Sequence, residues 1–338
     1  MTAADPVRAI ADAVLYEGYI LWPYRRSAMK NRQRWTFGGV YPRGHSEGRD
    51  DDPWTMRTEC LLEADGDARV EVRVRFLQVV DRQVLAERGE RLEPVDELAV
   101  DGEPYLSWQE AREREVVVPG LRPAALEGTR TVDIEVPAGS EHEELIDSGG
   151  RRVGELARSW RSLCGAVEIA STPLGEGLVR LAVQVSNTSP WPGGDREDAL
   201  AQTFASTHTA LHVEGGAFVS LTDPPEPVRA AAEGCRNEGT WPVLVGEPGD
   251  RTTLLSSPII LEDYARIAPE SPGDLFDGGE IDQLLTLSIL SLTDDEKREM
   301  RGTDPRAREI LDRTEALSPE ELMRLHGTIR EFGRARER

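Results

Sequence analysis

The residue types that do chemistry most readily, histidine, cysteine and clustered acid, are few and scattered in this chain. His208 and His212 stand four apart, and with Cys235 they could take a transition metal, joined by Cys60 or Cys164. In a helix that spacing puts both rings on one face; in a strand they share a face but lie farther apart. No C-x-x-C or H-E-x-x-H accompanies them, and THTALHVEGG reads as a strand. The competing account is one packed histidine, one exposed histidine, and cysteines acting as small core residues. Gly44-His45-Ser46-Glu47-Gly48 matches G-x-S-x-G, the pattern of a nucleophile elbow, which needs a buried strand leading in and a helix leading out. Tyr41-Pro42-Arg43 before it and the acidic run after it supply neither flank. Asp274, Asp277, Glu280 and Asp282 are dense enough for a hard cation, yet they miss the calcium-loop spacing and fall where a helix N-terminus favours acids. Gly246 to Thr252 lacks the lysine and glycine spacing of a phosphate loop and reads as a hairpin turn.

Recognition chemistry is concentrated elsewhere. The stretch Tyr16 to Arg43 holds six basic residues against one acid, Glu17, in a chain of formal net charge -22. It also holds Tyr16, Tyr19, Trp22, Tyr24, Trp35, Phe37 and Tyr41. Arginine and large aromatics together are the composition of recognition surfaces, because both offer wide contact area and directional hydrogen bonds. Tyr19, Trp22, Tyr24, Arg25, Arg26, Lys30, Arg32, Arg34 and Trp35 are the candidate binding residues, with Ser257 to Glu280 as a second contact segment. Two accounts compete. In one the aromatics pack on the core edge while the arginines pair with the surplus acid of the chain, in individually weak pairs. In the other the stretch is a docking patch for an acidic partner, or an anion pocket built from Arg25, Arg26, Lys30 and Arg32. The acidic remainder argues against nucleic acid, since affinity for phosphate backbones comes from clustered positive charge.

The elements that would position these residues change character along the chain. Residues 3 to 16 read as a short helix, and Ser46 to Pro53 as an exposed acidic loop. From Met56 the pattern turns to period two. Thr58 to Glu63, the turn Asp65-Gly66 and Arg69 to Val79 read as a hairpin, with Val70, Val72, Val74 and Phe76 on one face. Strands are expected at Glu115 to Val118, Thr131 to Val136, Cys164 to Ser171 and Leu178 to Asn187, the last two joined as a second hairpin. Thr209 to Val213 and Ala217 to Leu221 read as a pair turning at Glu214-Gly215-Gly216, and Trp241 to Val245 and Thr253 to Leu261 as two more strands. Ser140 to Arg152 reads as a linker or long loop. Residues beyond 266 carry capped helical patterns, including Thr293 with Glu296 and Ser318-Pro319 with Glu321. The expected fold is α+β, a mainly antiparallel β-sandwich-like core with a C-terminal cluster of short helices. Three regions follow: 1–55 with the N-terminal helix and basic aromatic segment, a β-rich core over 56–265, and a helical region over 266–338.

At 338 residues the chain can bury a proper core. No apolar run is long enough to cross a bilayer, and the N-terminus lacks the features of an export signal, so no membrane partner is expected. Three widely spaced cysteines fit a reducing cytoplasm rather than a disulfide framework. No motif calls for a cofactor.

Several segments resemble an uncharacterised bacterial protein family associated with NiFe-hydrogenase gene clusters. They are YEGYILWPYRRSAMKNRQRW, HTALHVEGGAFVSLTDPPE, CRNEGTWPVLVG, SSPIILEDYARIAPESPGDLFDGGEIDQLLTL and LTDDEKREMRGTDPRAREILDR. The resemblance implies an accessory factor of a hydrogenase system, binding a hydrogenase subunit or another accessory protein, and assigns no residue a role. The alternative function is a metal-handling or hydrolytic enzyme using His208, His212 and Cys235.

Overall fold

The computed structural model describes residues 38–49, 51–175 and 177–265, together with Lys297, Arg308, Leu311, Asp312 and Glu315. The expected N-terminal helix and nearly all of the expected C-terminal helical region therefore lie outside the described residues. What is described is mainly antiparallel sheet, as the period-two patterning requires. Eleven strands form one sheet in the order β12 (Trp241–Leu244), β13 (Thr253–Ser257), β11 (Ala205–Phe218), β1 (Thr55–Arg88), β10 (Leu178–Asn187), β9 (Leu163–Gly175) and β6 (Thr129–Val136). Also paired to β1 are β2 (Arg91–Val95), β5 (Trp108–Leu121) and β8 (Arg152–Trp160), and β7 (Gly139–Ile146) is paired to β8. A separate hairpin joins β3 (Glu97–Val100) to β4 (Glu103–Leu106).

One strand organises the rest. β1 runs from Thr55 to Arg88, 34 residues without a reversal. Its first third pairs with β10 (Leu178–Asn187), Cys60 opposite Leu181. Its middle lies between β11 (Ala205–Phe218) and β5 (Trp108–Leu121), Val74 opposite both Thr209 and Val116. Its end pairs with β8 (Arg152–Trp160) and β2 (Arg91–Val95). The sheet bends back on itself around one core, so Val70, Val72, Val74 and Phe76 pack with Leu181, Val183 and Val185 of β10 and with Val167 and Ile169 of β9 (Leu163–Gly175). Burying a side chain of this kind contributes roughly 1.5–3 kcal/mol. A second, smaller cluster of Val84, Val100, Leu145 and Leu156 covers the far end of β1.

Three expectations need correcting. Asp65-Gly66 is not a hairpin turn: Ala64 pairs with Gly216 and Arg69 with Glu214, so four residues of β1 oppose the single Gly215 of β11. That is a bulge, which bends a strand without reversing it. Glu214-Gly215-Gly216 likewise turns nothing, since it is the facing half of the same irregularity within continuous β11. Ser140 to Arg152 is not a long loop. Gly139–Ile146 is β7, paired with β8 and joined to it by a tight turn at Asp147, whose side chain accepts the amides of Gly149 and Arg151. Among the described residues β7 pairs on one side only, and nearly all its side chains are exposed. An exposed edge strand shows no apolar alternation to read.

The remaining expectations correspond to strands. β6 (Thr129–Val136) pairs with β9, and β9 with β10 through the second hairpin. β12 (Trp241–Leu244) and β13 (Thr253–Ser257) flank the Gly246 to Thr252 turn, where Gly246 and Gly249 adopt positive φ. β2, β3 and β4, short and half exposed, escaped the sequence reading.

Candidate functional site

Tyr19, Trp22, Tyr24, Arg25, Arg26, Lys30, Arg32, Arg34 and Trp35 lie outside the described residues. The C-terminal end of their stretch, Gly38 to Arg43, is described and is tied to the sheet. Val40 and Phe204 exchange both backbone hydrogen bonds at 3.0 Å, and Thr207 N donates to Gly38 O at 2.9 Å. Asn187 Nδ2, in a fully buried side chain, donates to Val40 O at 2.8 Å. The Gly38 backbone has φ of +60°, and a Cβ there would sit 2.6 Å from Pro258 Cγ, so both conformation and space demand glycine.

Beyond this root the chain enters a short helix, α1 (Arg43–Ser46), and a loop that returns to β1. Of the expected exposed acidic loop Ser46 to Pro53, Glu47, Gly48, Arg49, Asp51 and Pro53 are exposed, but Asp52, at 1% exposure, is buried, as is His45 at 3% just before it. His45 Nε2 donates to Asp52 Oδ2 at 3.0 Å. Arg196, the first residue of α2 (Arg196–Leu200), reaches the same carboxylate with Nε at 3.1 Å and Nη2 at 3.1 Å, and its Nη2 also donates to the Tyr41 hydroxyl. Tyr41 stacks on His45 at 5.4 Å between ring centroids, and Trp191 meets the same imidazole edge-on at 5.3 Å. Burial pulls the Asp52 pKa up, but the hydrogen bonds from His45 and Arg196 outweigh it and hold the carboxyl below its usual range. Burial raises the Tyr41 phenol, so it stays protonated as a donor or acceptor. The α2 start is itself fixed by a capping box, with Asp195 accepting Asp198 N and Asp198 accepting Asp195 N.

Ser46 of the G-x-S-x-G match sits inside α1 rather than on a strand-to-helix turn. Its buried hydroxyl donates to Pro42 O at 3.4 Å. The histidine beside it, not the serine, is the side chain the fold uses, and it uses it to hold Asp52.

His208, His212 and Cys235 are not brought together. The two histidines lie on one face of β11, four residues apart, which at the rise of a strand is about 13 Å. His208 is fully buried, with Nδ1 donating to Ser206 O at 3.2 Å, and His212 is exposed with Nδ1 3.1 Å from Thr253 Oγ1. Cys235 follows the helix α3 (Arg229–Glu233) and packs with Leu61, Val219 and Ala232. Among the described residues no group of three or more His, Cys, Asp and Glu side chains could hold a metal ion. Asp274, Asp277, Glu280 and Asp282 lie outside them.

The residue that sequence reasoning missed is Arg196. Nothing local marks an arginine at a helix start as the partner of a carboxylate 144 positions earlier. The cap pair Asp195 and Asp198 fixes where α2 begins, and says nothing of what Arg196 meets.

No family model matches the chain, and no curated protein matches it. Among solved structures it is similar to the Salmonella SPI-1 type III secretion injectisome secretin InvG (residues 176-end) in the open gate state, at 8% identity and a TM-score of 0.12. That match covers 63% of this chain and spans 59% of the secretin chain. A likeness at that score carries no argument about fold or function. No helix among the described residues is long and apolar enough to cross a membrane.

Proposed function

We propose that the protein is a non-catalytic accessory protein that acts by binding another protein, with the basic, ring-rich stretch Tyr16 to Arg43 as its contact. The observation that carries this reading is the root of that stretch. Gly38 to Arg43 is bonded into the sheet and braced by the Asp52–Arg196 pair, so a segment opposite in charge to the rest of the chain starts from a fixed base. The charges of the β-rich part support it as well. Arg73, Arg112, Arg152, Arg158 and Arg251 are engaged with Glu115, Glu141, Glu87, Glu143 and Glu63. These arginines are thereby spent on the chain's own carboxylates. The partner that suits a basic aromatic segment is an acidic protein surface. The family resemblance suggests a subunit of a NiFe-hydrogenase, or another accessory protein of that system.

The test is co-expression with the hydrogenase subunits and co-purification on a tag. Charge reversal at Arg25, Arg26 and Arg32 together is expected to abolish co-purification while circular dichroism and melting stay unchanged. Undiminished co-purification of the reversed variant would remove the stretch as the contact. The competing enzyme reading requires a metal at His208, His212 and Cys235, and stoichiometric Ni, Fe or Zn in protein purified without added metal would revive it.

A further inference from the structure

We infer that the described residues of 41–53 form a loop whose polar tie to the rest of the chain, among the described residues, runs through Arg196 to Asp52 and Tyr41, and that the loop loosens when that tie is lost. The loop is closed on itself: Tyr41 N donates to Pro53 O at 2.8 Å, the mark of a compact surface loop packed by its own side chains. Its internal contacts are the His45–Asp52 bond and the Tyr41–His45 stack. Among the described residues, the polar bonds that tie positions 41–53 to the rest of the chain come from Arg196 alone. The backbone ties on either side fall outside the loop, at Gly38 and Val40 before it and at Trp54 after it, whose carbonyl accepts Asn187 N at 3.0 Å. Apolar contact with Leu77, Val79, Ala199 and Leu200 is made by Tyr41, and Trp191 closes over the top.

The tie is sensitive because it is buried. Removing one partner of a buried pair leaves the other charge without compensation, which costs far more than losing an exposed pair. The charged and titratable groups facing Asp52 are His45 from α1, Arg196 from α2, the Tyr41 hydroxyl, and the neighbouring Asp51, whose charge acts on both Tyr41 and Arg196. Arg196 meets Asp52 with two donors of a charged guanidinium, so neutralising either partner removes the polar tie.

Hydrogen exchange read by mass spectrometry on the full chain, without any partner, tests this. In Arg196→Met and Asp52→Asn, exchange across 41–49 is expected to rise by about tenfold or more. Exchange at paired positions of β9 and β10 should stay near that of the parent chain. Arg196→Lys keeps the charge but loses the two-atom fork, and an intermediate rise is expected. Unchanged exchange over 41–49, or equal acceleration through β9 and β10, would overturn the inference and make the pair an ordinary core brace. If Asp52→Asn does not fold, Arg196→Lys gives the same readout. Failure here leaves the co-purification result standing, because no partner enters the measurement.

Discussion

His208 is the side chain whose burial carries the clearest consequence. Its Nδ1 must hold the proton, because the Ser206 carbonyl it meets can only accept, and its buried Nε2 has no partner among the described residues. Burial, with Arg75 opposite on β1, lowers its pKa from 6.5 to about 4, although the Ser206 bond works the other way. In the unfolded chain the ring takes a proton near its ordinary value, so stability is full at neutral pH and falls as pH drops through the window between 6.5 and 4. The loss at the bottom of that window is on the order of 3 kcal/mol. Urea titrations on either side of the window check it: His208→Leu is expected to show a visibly flatter pH dependence than the parent chain. The histidine pair was legible as one packed and one exposed ring, because a strand places residues four apart on one face but far from each other. That the packed one is His208 depends on what covers that end of β11, and no local pattern says so.

At the scale of elements, β1 and β11 share one bend, and it separates two readings of the same dipeptide. A tight hairpin at Asp65-Gly66 would need positive φ at the glycine, yet Gly66 is not among the residues with positive φ and a Cβ there meets nothing within 4 Å. Gly66→Ala is therefore expected to change stability by no more than about 0.5 kcal/mol in chemical denaturation. Gly215, across the bulge at φ +73°, is the position where a side chain would be strained. Gly215→Val is expected to cost about 1–3 kcal/mol in the same measurement. A third glycine tests the closeness of the layers: a Cβ at Gly165 of β9 would fall 2.2 Å from Ser186 O and 2.8 Å from Phe204. Because the nearest atom is backbone, Gly165→Ala should destabilise by about 1–3 kcal/mol or more. The faces of β1 and β10 were readable from alternation, whereas β7 was not, since a strand exposed on both faces gives no apolar rhythm.

Over the whole molecule, the formal charge of -22 exceeds anything its ion pairs can balance. Arg82 is buried between Leu106 O and Glu110, and Arg158 bridges Glu110 and Glu143, but most pairs are exposed and individually weak. Self-repulsion among the surplus carboxylates is expected to outweigh what salt removes from such pairs. The melting temperature is therefore expected to rise between about 0.01 M and about 0.15 M ionic strength, where the screening length shortens to about 8 Å. A fall over that range, measured by thermal melts, would mean that the pairs dominate.

Period two by itself determined that Val70, Val72, Val74 and Phe76 of β1 and Val179, Leu181, Val183 and Val185 of β10 each share a buried face, because alternation assigns faces. That Leu77 and Val79 on the other face of β1 are buried as well was decided by what packs there. Composition determined where the positive charge and the rings are concentrated. Only the tertiary structure decided whether Asp65-Gly66 reverses the chain or bends it, since that depends on the register of β11. It alone brought Arg196 to Asp52, because burial of a charge is settled by what packs over it and not by the residues beside it in the chain.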